Sequence, residues 1–252
     1  MDLGLKDKVA IVTGGSRGIG RAICLGLAAE GCNVALCARG EERLRETEAE
    51  LKAQGVKVLA ATTDVTQTAD AERFVAQVAS EFGRIDVLVN NVGGSRPGDD
   101  DEAWQAAVDL NFLSAVRCTR AVLPHMRAQG SGSVIHISSI YGRESGGGMS
   151  YNATKAAMIS HAKALALQLA PEGIRVNSIA PGSIQFPGGG WDRRVQADPE
   201  GMAAFVKQNI AAGRFGTVEE VADAVVFLAS ERARWITGAC INVDGGQSRS
   251  NI

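Results

Sequence analysis

The chain has 252 residues, of which 45% are apolar and 21% charged, and its formal net charge is −2. This composition is ordinary for a globular protein, and a chain of this length needs neither a disulfide nor a metal to be stable. The small net charge gives no electrostatic reason to expect nucleic acid or an anionic membrane as a partner.

The cysteines and the N-terminus both predict a cytoplasmic location. The five cysteines are scattered and odd in number, which suits a reducing compartment better than a disulfide framework. Residues 1–8 lack a secretory apolar core, and no apolar stretch approaches the ~18 residues that span a bilayer. The three histidines have no metal-site spacing, so we expect no metal.

Short β-branched runs alternate with helix-period segments almost to the end of the chain. The predicted strands are Lys8–Thr13, Asn33–Ala38, Lys57–Thr62, Val87–Asn90, Ser133–Ser138, Arg175–Ala180 and Ala239–Val243. The predicted helices are Ile19–Glu30, Glu42–Gln54, Ala69–Phe82, Glu102–Arg127, Tyr151–Ala170 and Val218–Ser230.

The alternation predicts an α/β fold, a Rossmann-type doubly wound parallel seven-stranded sheet with right-handed crossovers. Most of the strands are near-continuous apolar runs, as expected where helices cover both faces of the sheet. No interior stretch resembles a linker, so we expect residues 1–252 to form a single dinucleotide-binding domain.

One segment breaks the alternation. Residues 182–199 read GSIQFPGGGWDRRVQADP, a long stretch rich in glycine, proline and charge. It follows the end of a predicted strand, which puts it over the crevice where such sheets bind ligands. We expect a substrate lid at about 182–210, with Trp191 covering a hydrophobic substrate. The alternative is an inert surface insertion.

A glycine-rich turn follows the first predicted strand. Residues 13–20 read TGGSRGIG and lead into a helix. Glycines at such a turn allow a tight bend and a close approach to a pyrophosphate, while the helix N-terminus presents free N–H groups to the anion. This context, strand, turn and helix, predicts dinucleotide binding.

The end of the second predicted strand bears on the choice of cofactor. NAD-specific enzymes usually place an acid there, whereas an arginine accommodates the 2′-phosphate of NADP. This chain has Cys37-Ala38-Arg39-Gly40, and Arg17 in the glycine turn is a second cation near the same place. Two guanidiniums fit a phosphate dianion, so we expect NADP(H), with NAD(H) possible if both arginines are merely solvated.

Tyr151 and Lys155 open the helix after the fifth predicted strand. Four residues apart, they share a helix face and point into one site. A nearby ammonium stabilises a phenolate, so we expect Lys155 to lower the pKa of Tyr151 toward the range of efficient acid–base catalysis.

With these residues the sequence resembles the short-chain dehydrogenase/reductase family, and its 3-oxoacyl-acyl-carrier-protein reductase-like members in particular. The resemblance covers nearly the whole chain, in seven motifs that occur in the family's order. These are TGGSRGIG (13–20), Asp64-Val65, NNVG (90–93), DLNFLSAV (109–116), ISSIYG with YNATK (137–142, 151–155), Pro181-Gly182 and INVDGG (241–246).

The resemblance implies a role for each matching residue. Tyr151 would be the general acid and base, Ser139 would hydrogen-bond the substrate oxygen, Lys155 would hold the nicotinamide ribose, and Asn111 would position a water in a proton relay. Ser139 and Tyr151 would bind the substrate, and Trp191 is a further substrate candidate because of its place in the predicted lid rather than because of the resemblance. The cofactor contacts would be Gly14, Ser16, Arg17, Gly18, Ile19, Gly20, Arg39, Asp64, Val65, Asn91, Gly93, Tyr151, Lys155, Pro181, Gly182 and Ile184.

Three positions need comment. The catalytic serine should be Ser139, because the family places it just before two apolar or small residues and a glycine, and strand alternation turns Ser138 to the opposite face. Val92 replaces the family's usual alanine. Phe186 stands where many members have a threonine that bonds the nicotinamide carboxamide.

The leading hypothesis is an NADPH-dependent reductase of a ketone, either a 3-oxoacyl compound or another hydrophobic carbonyl. An NAD-dependent dehydrogenase that oxidises a secondary alcohol is the first alternative, and a non-catalytic dinucleotide-binding module is the second. The resemblance also implies a homotetramer or homodimer. We expect a small-molecule substrate, and neither a nucleic acid nor a membrane partner.

Overall fold

The structure, a computed structural model, describes residues 2–95 and 97–251. Seven parallel strands form one sheet in the order β3-β2-β1-β4-β5-β6-β7, which confirms the predicted fold class. The strands are β1 (Val9–Thr13), β2 (Asn33–Ala38), β3 (Val58–Thr62), β4 (Val87–Asn90), β5 (Gly132–Ile137), β6 (Ile174–Pro181) and β7 (Cys240–Val243).

Helices cover both faces of the sheet. They are α1 (Gly18–Ala29), α2 (Glu41–Ala53), α3 (Thr68–Phe82), α4 (Asp101–Val108), α5 (Ser114–Gln129), α6 (Met149–Leu169), α7 (Gly190–Ala197), α8 (Pro199–Asn209) and α9 (Val218–Ala229). In the part of the chain that the structure describes, none of the helices is long and apolar enough to cross a membrane.

Two apolar cores lie on opposite faces of the sheet. One packs α1, α2 and α9 against it, with Leu27, Leu44 and Val225 fully buried. The other packs α3, α5 and α6, with Phe74 and Val122 inside. Side chains that are buried on both faces explain why the strands are apolar runs. The strand order changes direction between β1 and β4, which is where such sheets bind ligands at their carboxyl edge.

The long helix predicted over Glu102–Arg127 is interrupted. A π-helical segment, Asp109–Leu113, separates α4 from α5. Within it, the side chain of Asn111 donates from Nδ2 to the carbonyl oxygen of Ala107, four residues earlier, at 3.1 Å. A side chain that bonds the backbone in this way competes with regular helical hydrogen bonds, and π segments often occur at functional sites.

The stretch 182–199, predicted as a long loop, contains α7 and the first residue of α8, so that prediction was wrong for residues 190–197, and α8 was not predicted. Asp198 accepts from the amide of Gly201 at 2.9 Å, and Pro199 occupies the first position of α8. This cap and proline are a helix-start signal within the charged stretch. Neither helix has a buried residue, so both lie on the surface of the sheet domain.

Candidate active site

A cavity of about 800 Å³ opens at the carboxyl edge of the sheet, across the switch between β1 and β4. Most of the residues predicted from the sequence line it. They are Gly14, Ser16, Arg17, Ile19, Gly20, Arg39, Asp64, Val65, Asn91, Gly93, Ser139, Tyr151, Lys155, Pro181, Gly182, Ile184 and Trp191. Gly18 and Asn111 are not part of the lining; Gly18 lies under Phe186, and Asn111 is fully buried beside Gly93.

The glycine turn has a backbone that only glycine adopts easily. Gly14 and Gly18 have φ angles of 67° and 54°, in the left-handed region. A side chain at Gly20 would collide with the carbonyl oxygen of Gly14. The tight turn brings the start of α1 close to the cavity. No side chain caps the first N–H groups of this helix, so they are available to a ligand. This arrangement fits a dinucleotide pyrophosphate.

Asn91 fixes the glycine turn to the end of β4. Its side-chain nitrogen donates to the carbonyl oxygens of Thr13 and Gly14 at 3.0 and 3.1 Å, and its backbone amide donates to Thr13 Oγ1 at 3.0 Å. The amide therefore supports the turn, while the residue also lines the cavity.

Three arginines surround the adenosine end of the cavity. Arg17 and Arg39 were predicted from the sequence, whereas Arg43, in the first turn of α2, was missed although it lies only four residues after Arg39. Within the described residues none of the three makes an ion pair, in contrast to Arg45, which pairs with Glu41 and Glu48. Three arginines without an ion pair outnumber Glu41 and Glu42, which line the same cavity, and they fit a phosphate group.

Ser139 and Tyr151 meet at the other end of the cavity. Ser139 Oγ accepts from the amide of Tyr141 at 3.1 Å and lies close enough to Tyr151 to oppose the rise in the pKa of its phenol. Ser138 is engaged elsewhere, since its hydroxyl donates to the carbonyl oxygen of Lys155 at 2.8 Å. The hydroxyl of Ser139 is therefore the one beside Tyr151.

Lys155 is buried behind Tyr151. Its Nζ donates to the carbonyl oxygen of Ile137 at 2.8 Å and lies 5.7 Å from the centre of the Tyr151 ring. Burial lowers the pKa of Lys155 to about 7. A side chain on Gly93 would reach within 2.8 Å of this Nζ, so the glycine leaves room for the ammonium at the cavity wall.

The pKa of Tyr151 differs from the sequence expectation. Burial raises it above the usual value, with an opposing hydrogen bond from Ser139 and a further increase from the nearby hydroxyl of Tyr141. Lys155 does not lower this pKa because its ammonium is directed at Ile137 and loses its own charge near neutral pH. The predicted depression by Lys155 was therefore wrong for the protein without cofactor.

Asn111 connects the π segment to the loop after β4. Its Oδ1 accepts from the amide of Gly94 at 2.8 Å, and its Nδ2 donates to the carbonyl oxygen of the same residue at 3.1 Å. The side chain thus holds the wall of the cavity next to Lys155.

The lid segment brings two aromatic residues to the cavity. The ring of Phe186 packs on Gly18, where a Cβ atom would lie 2.7 Å from it, so Phe186 links the lid to the glycine turn. Trp191 stacks on Phe205 at a centroid distance of 4.9 Å and makes a tilted contact with Phe215 at 5.3 Å. The sequence did not predict this aromatic cluster, because its three residues come from different elements and follow no helical or strand spacing.

An α/β sheet with a glycine turn at its switch point, and a Ser-Tyr-Lys group across the same cavity, defines a dinucleotide-dependent oxidoreductase. The family model described as Enoyl-(Acyl carrier protein) reductase matches residues 14–248. The chain belongs to the short-chain dehydrogenase/reductase family, as its motifs predict.

Individual relatives are similar over nearly their whole length. The 3-oxoacyl-(acyl-carrier-protein) reductase FabG of Escherichia coli (strain K12) is 36% identical over 249 residues, 97% of this chain and 98% of the relative. The short-chain reductase protein NovJ of Streptomyces niveus is 37% identical, over 96% of this chain and 94% of its own. A crystal structure of L-sorbose reductase from Gluconobacter frateurii, complexed with NADPH and L-sorbose, has a TM-score of 0.94 and 39% identity, covering 99% of this chain and 100% of that one.

Proposed function

We propose that this protein is an NADP(H)-dependent reductase that converts a ketone into a secondary alcohol, with Tyr151 as the general acid. The observation that carries the proposal is one cavity with the glycine turn and three unpaired arginines at one end and Ser139 and Tyr151 at the other. The presence of NADPH in the similar L-sorbose reductase supports the cofactor.

The cofactor supplies the hydride, and this chain's residues orient the substrate and provide the proton. The hydroxyl of Ser139 donates a hydrogen bond to the substrate oxygen, where negative charge develops during reduction. Tyr151 donates its phenolic proton to the same oxygen. The pKa of Lys155 is about 7, so its Nζ gains and loses a proton near neutral pH. This exchange takes place at the cavity wall, behind Tyr151.

The substrate is a small-molecule carbonyl compound, a 3-oxoacyl compound or another hydrophobic ketone. The similarity to FabG supports the first class. The Trp191 ring at the cavity supports an apolar substrate more generally. The expected setting is the cytoplasm, with several copies of the chain in one oligomer.

Fluorescence titration with NADPH and with NADH tests the cofactor. We expect at least about tenfold tighter binding of NADPH, which corresponds to ~1.4 kcal/mol. Arg39→Ala and Arg17→Ala should each weaken NADPH binding and leave NADH binding nearly unchanged, because only NADPH carries the 2′-phosphate.

Arg45→Ala is the matched control, because Arg45 lies on the same helix as Arg43 but is paired with glutamates. Equal affinity for the two cofactors, or a preference for NADH, would contradict the proposed clamp. A preference for NADH would instead favour a dehydrogenase that oxidises secondary alcohols.

A further inference from the structure

Two histidines that the proposed reaction does not use lie directly behind the active site. His136, in β5, is fully buried, and His161, on α6, is half-buried. Their rings are stacked with centroids 5.4 Å apart, and His136 Nε2 lies 3.2 Å from His161 Nδ1. This histidine pair joins the sheet to the helix that carries Tyr151 and Lys155.

Three residues next to the histidine pair are adjacent in sequence to active-site residues or hydrogen-bond to one. His136 precedes Ile137, whose carbonyl oxygen accepts from Lys155 Nζ. His136 Nδ1 lies 3.1 Å from Nδ2 of Asn90, the residue before Asn91. The ring of Phe112, the residue after Asn111, makes an edge contact with His161 at a centroid distance of 5.7 Å. A shift of the pair would therefore move the backbone on which these residues stand.

With the side-chain nitrogen of Asn90 turned toward His136 and Thr119, the contacts allow one arrangement of protons while both rings are neutral. Asn90 Nδ2 donates to His136 Nδ1, so His136 carries its proton on Nε2 and donates it to His161 Nδ1. A proton added to His161 would occupy Nδ1 and face the N–H of His136. The other tautomer of His136 would point its proton at the amide nitrogen of Asn90. Protonation of His161 therefore breaks the chain of hydrogen bonds.

The surroundings keep the pair neutral at physiological pH. Burial, the charge of His161 and the charge of Lys155 lower the pKa of His136 to about 3. Burial alone lowers the pKa of His161. His161 is the more exposed ring, and it therefore takes up the proton as the pH falls below the ordinary histidine range near ~6.5.

We infer that the His136–His161 pair is a positioning element that holds α6, and with it Lys155 Nζ, against Ile137 while His161 is neutral. Protonation of His161 loosens this contact. Reductase activity then falls as the pH drops below about 6.5, for a reason independent of the ionisation of Tyr151 and Lys155. The inference rests on the proposed reductase function.

The pH profile of kcat from pH 5 to 8, with NADPH and a ketone substrate, tests this inference. His161→Gln keeps an acceptor for the His136 N–H but cannot be protonated, so the acid-side loss of kcat should disappear. His161→Phe removes the acceptor and should lower kcat about tenfold at every pH, with KM nearly unchanged, because misplacement of catalytic groups costs rate more than binding. The control is His125→Gln, on α5, which should keep the wild-type profile.

Two outcomes would overturn the inference: a wild-type kcat that is constant down to pH 5, or a His161→Gln profile that keeps the wild-type acid limb. If His161→Gln does not fold, NMR titration of the histidines in the wild type tests the inference instead. The pH at which His161 is half-protonated must then equal the pH at which kcat is half its maximum. A wild type that reduces no ketone would refute the proposed function alone. In that case thermal unfolding tests the pair: the loss of stability below pH 6.5 should be steeper in the wild type than in His161→Gln, where only the buried His136 still contributes.

Discussion

Burial favours the uncharged form of both titratable residues at the candidate active site, Tyr151 and Lys155. It raises the pKa of Tyr151 and lowers that of Lys155 to about 7, because a low-dielectric site favours the uncharged form of either group. A phenol that keeps its proton is suited to donate it to a carbonyl oxygen. The raised pKa of Tyr151 is in keeping with the proposed reductive direction.

The buried amine of Lys155 makes the stability of the fold depend on pH. The unfolded chain keeps this proton up to about pH 10.5, whereas the folded chain releases it near pH 7. The free energy of unfolding should therefore rise with pH between these values, by about 1.4 kcal/mol per pH unit from this residue. Urea denaturation at pH 7, 8 and 9 measures the slope, which should be lower by that amount in Lys155→Met.

Lys163→Met is the control, because Lys163 lies on the same helix with an exposed side chain that donates to the carbonyl oxygen of Gly238. It should leave the slope unchanged. Equal slopes in the wild type and Lys155→Met would show that Lys155 keeps its proton in the folded protein.

At the scale of elements, Ile184 ties the start of the predicted lid to a core of the sheet, whereas aromatic contacts hold its helical part. Trp191 stacks on Phe205 from α8 and makes a tilted contact with Phe215, and the guanidinium of Arg194 lies 4.8 Å from the Trp191 ring centre. Phe186 anchors the start of the segment on the glycine turn. The side chain of Phe186 therefore contacts the turn through its ring, where the family's threonine would offer a hydroxyl group.

Removal of the lid tryptophan should affect substrate binding more than folding. Trp191→Ala removes an aromatic surface from the cavity, so we expect KM for an apolar ketone to rise about tenfold while the melting temperature changes little. Steady-state kinetics and thermal unfolding measure the two effects. Trp235→Ala, at a position 97% exposed in a different part of the molecule, is the control and should change neither. An unchanged KM for Trp191→Ala would exclude Trp191 from substrate binding.

The strands and the glycine turn were predictable from the sequence because each has a local signal. Buried parallel strands are apolar runs, and the turn combines glycines with a strand before and a helix after it. The π segment could not be predicted in this way, since it depends on a hydrogen bond between the Asn111 side chain and Ala107. The elevated pKa of Tyr151 was also missed, because it depends on burial and on the direction of the Lys155 ammonium, which a four-residue spacing does not specify.

At the scale of the whole molecule, the site and both cores are built from one chain, whereas the predicted oligomer concerns its outer surface. Multi-angle light scattering at micromolar concentration should give four times the chain mass of 26.3 kDa for the expected homotetramer, or twice that mass for a homodimer. A mass equal to that of one chain would contradict the prediction.

The most direct test of the account is the consumption of NADPH in the presence of a panel of ketones, by the wild type and by Tyr151→Phe. The phenylalanine keeps the ring but has no proton to donate, so we predict wild-type turnover with at least one ketone and a loss of kcat of about 10²-fold or more in the variant. Binding of NADPH should remain within a few fold of the wild type, which would show that the variant is folded. A Tyr151→Phe protein that reduces the same ketone at the wild-type rate would contradict the assignment of Tyr151 as the acid.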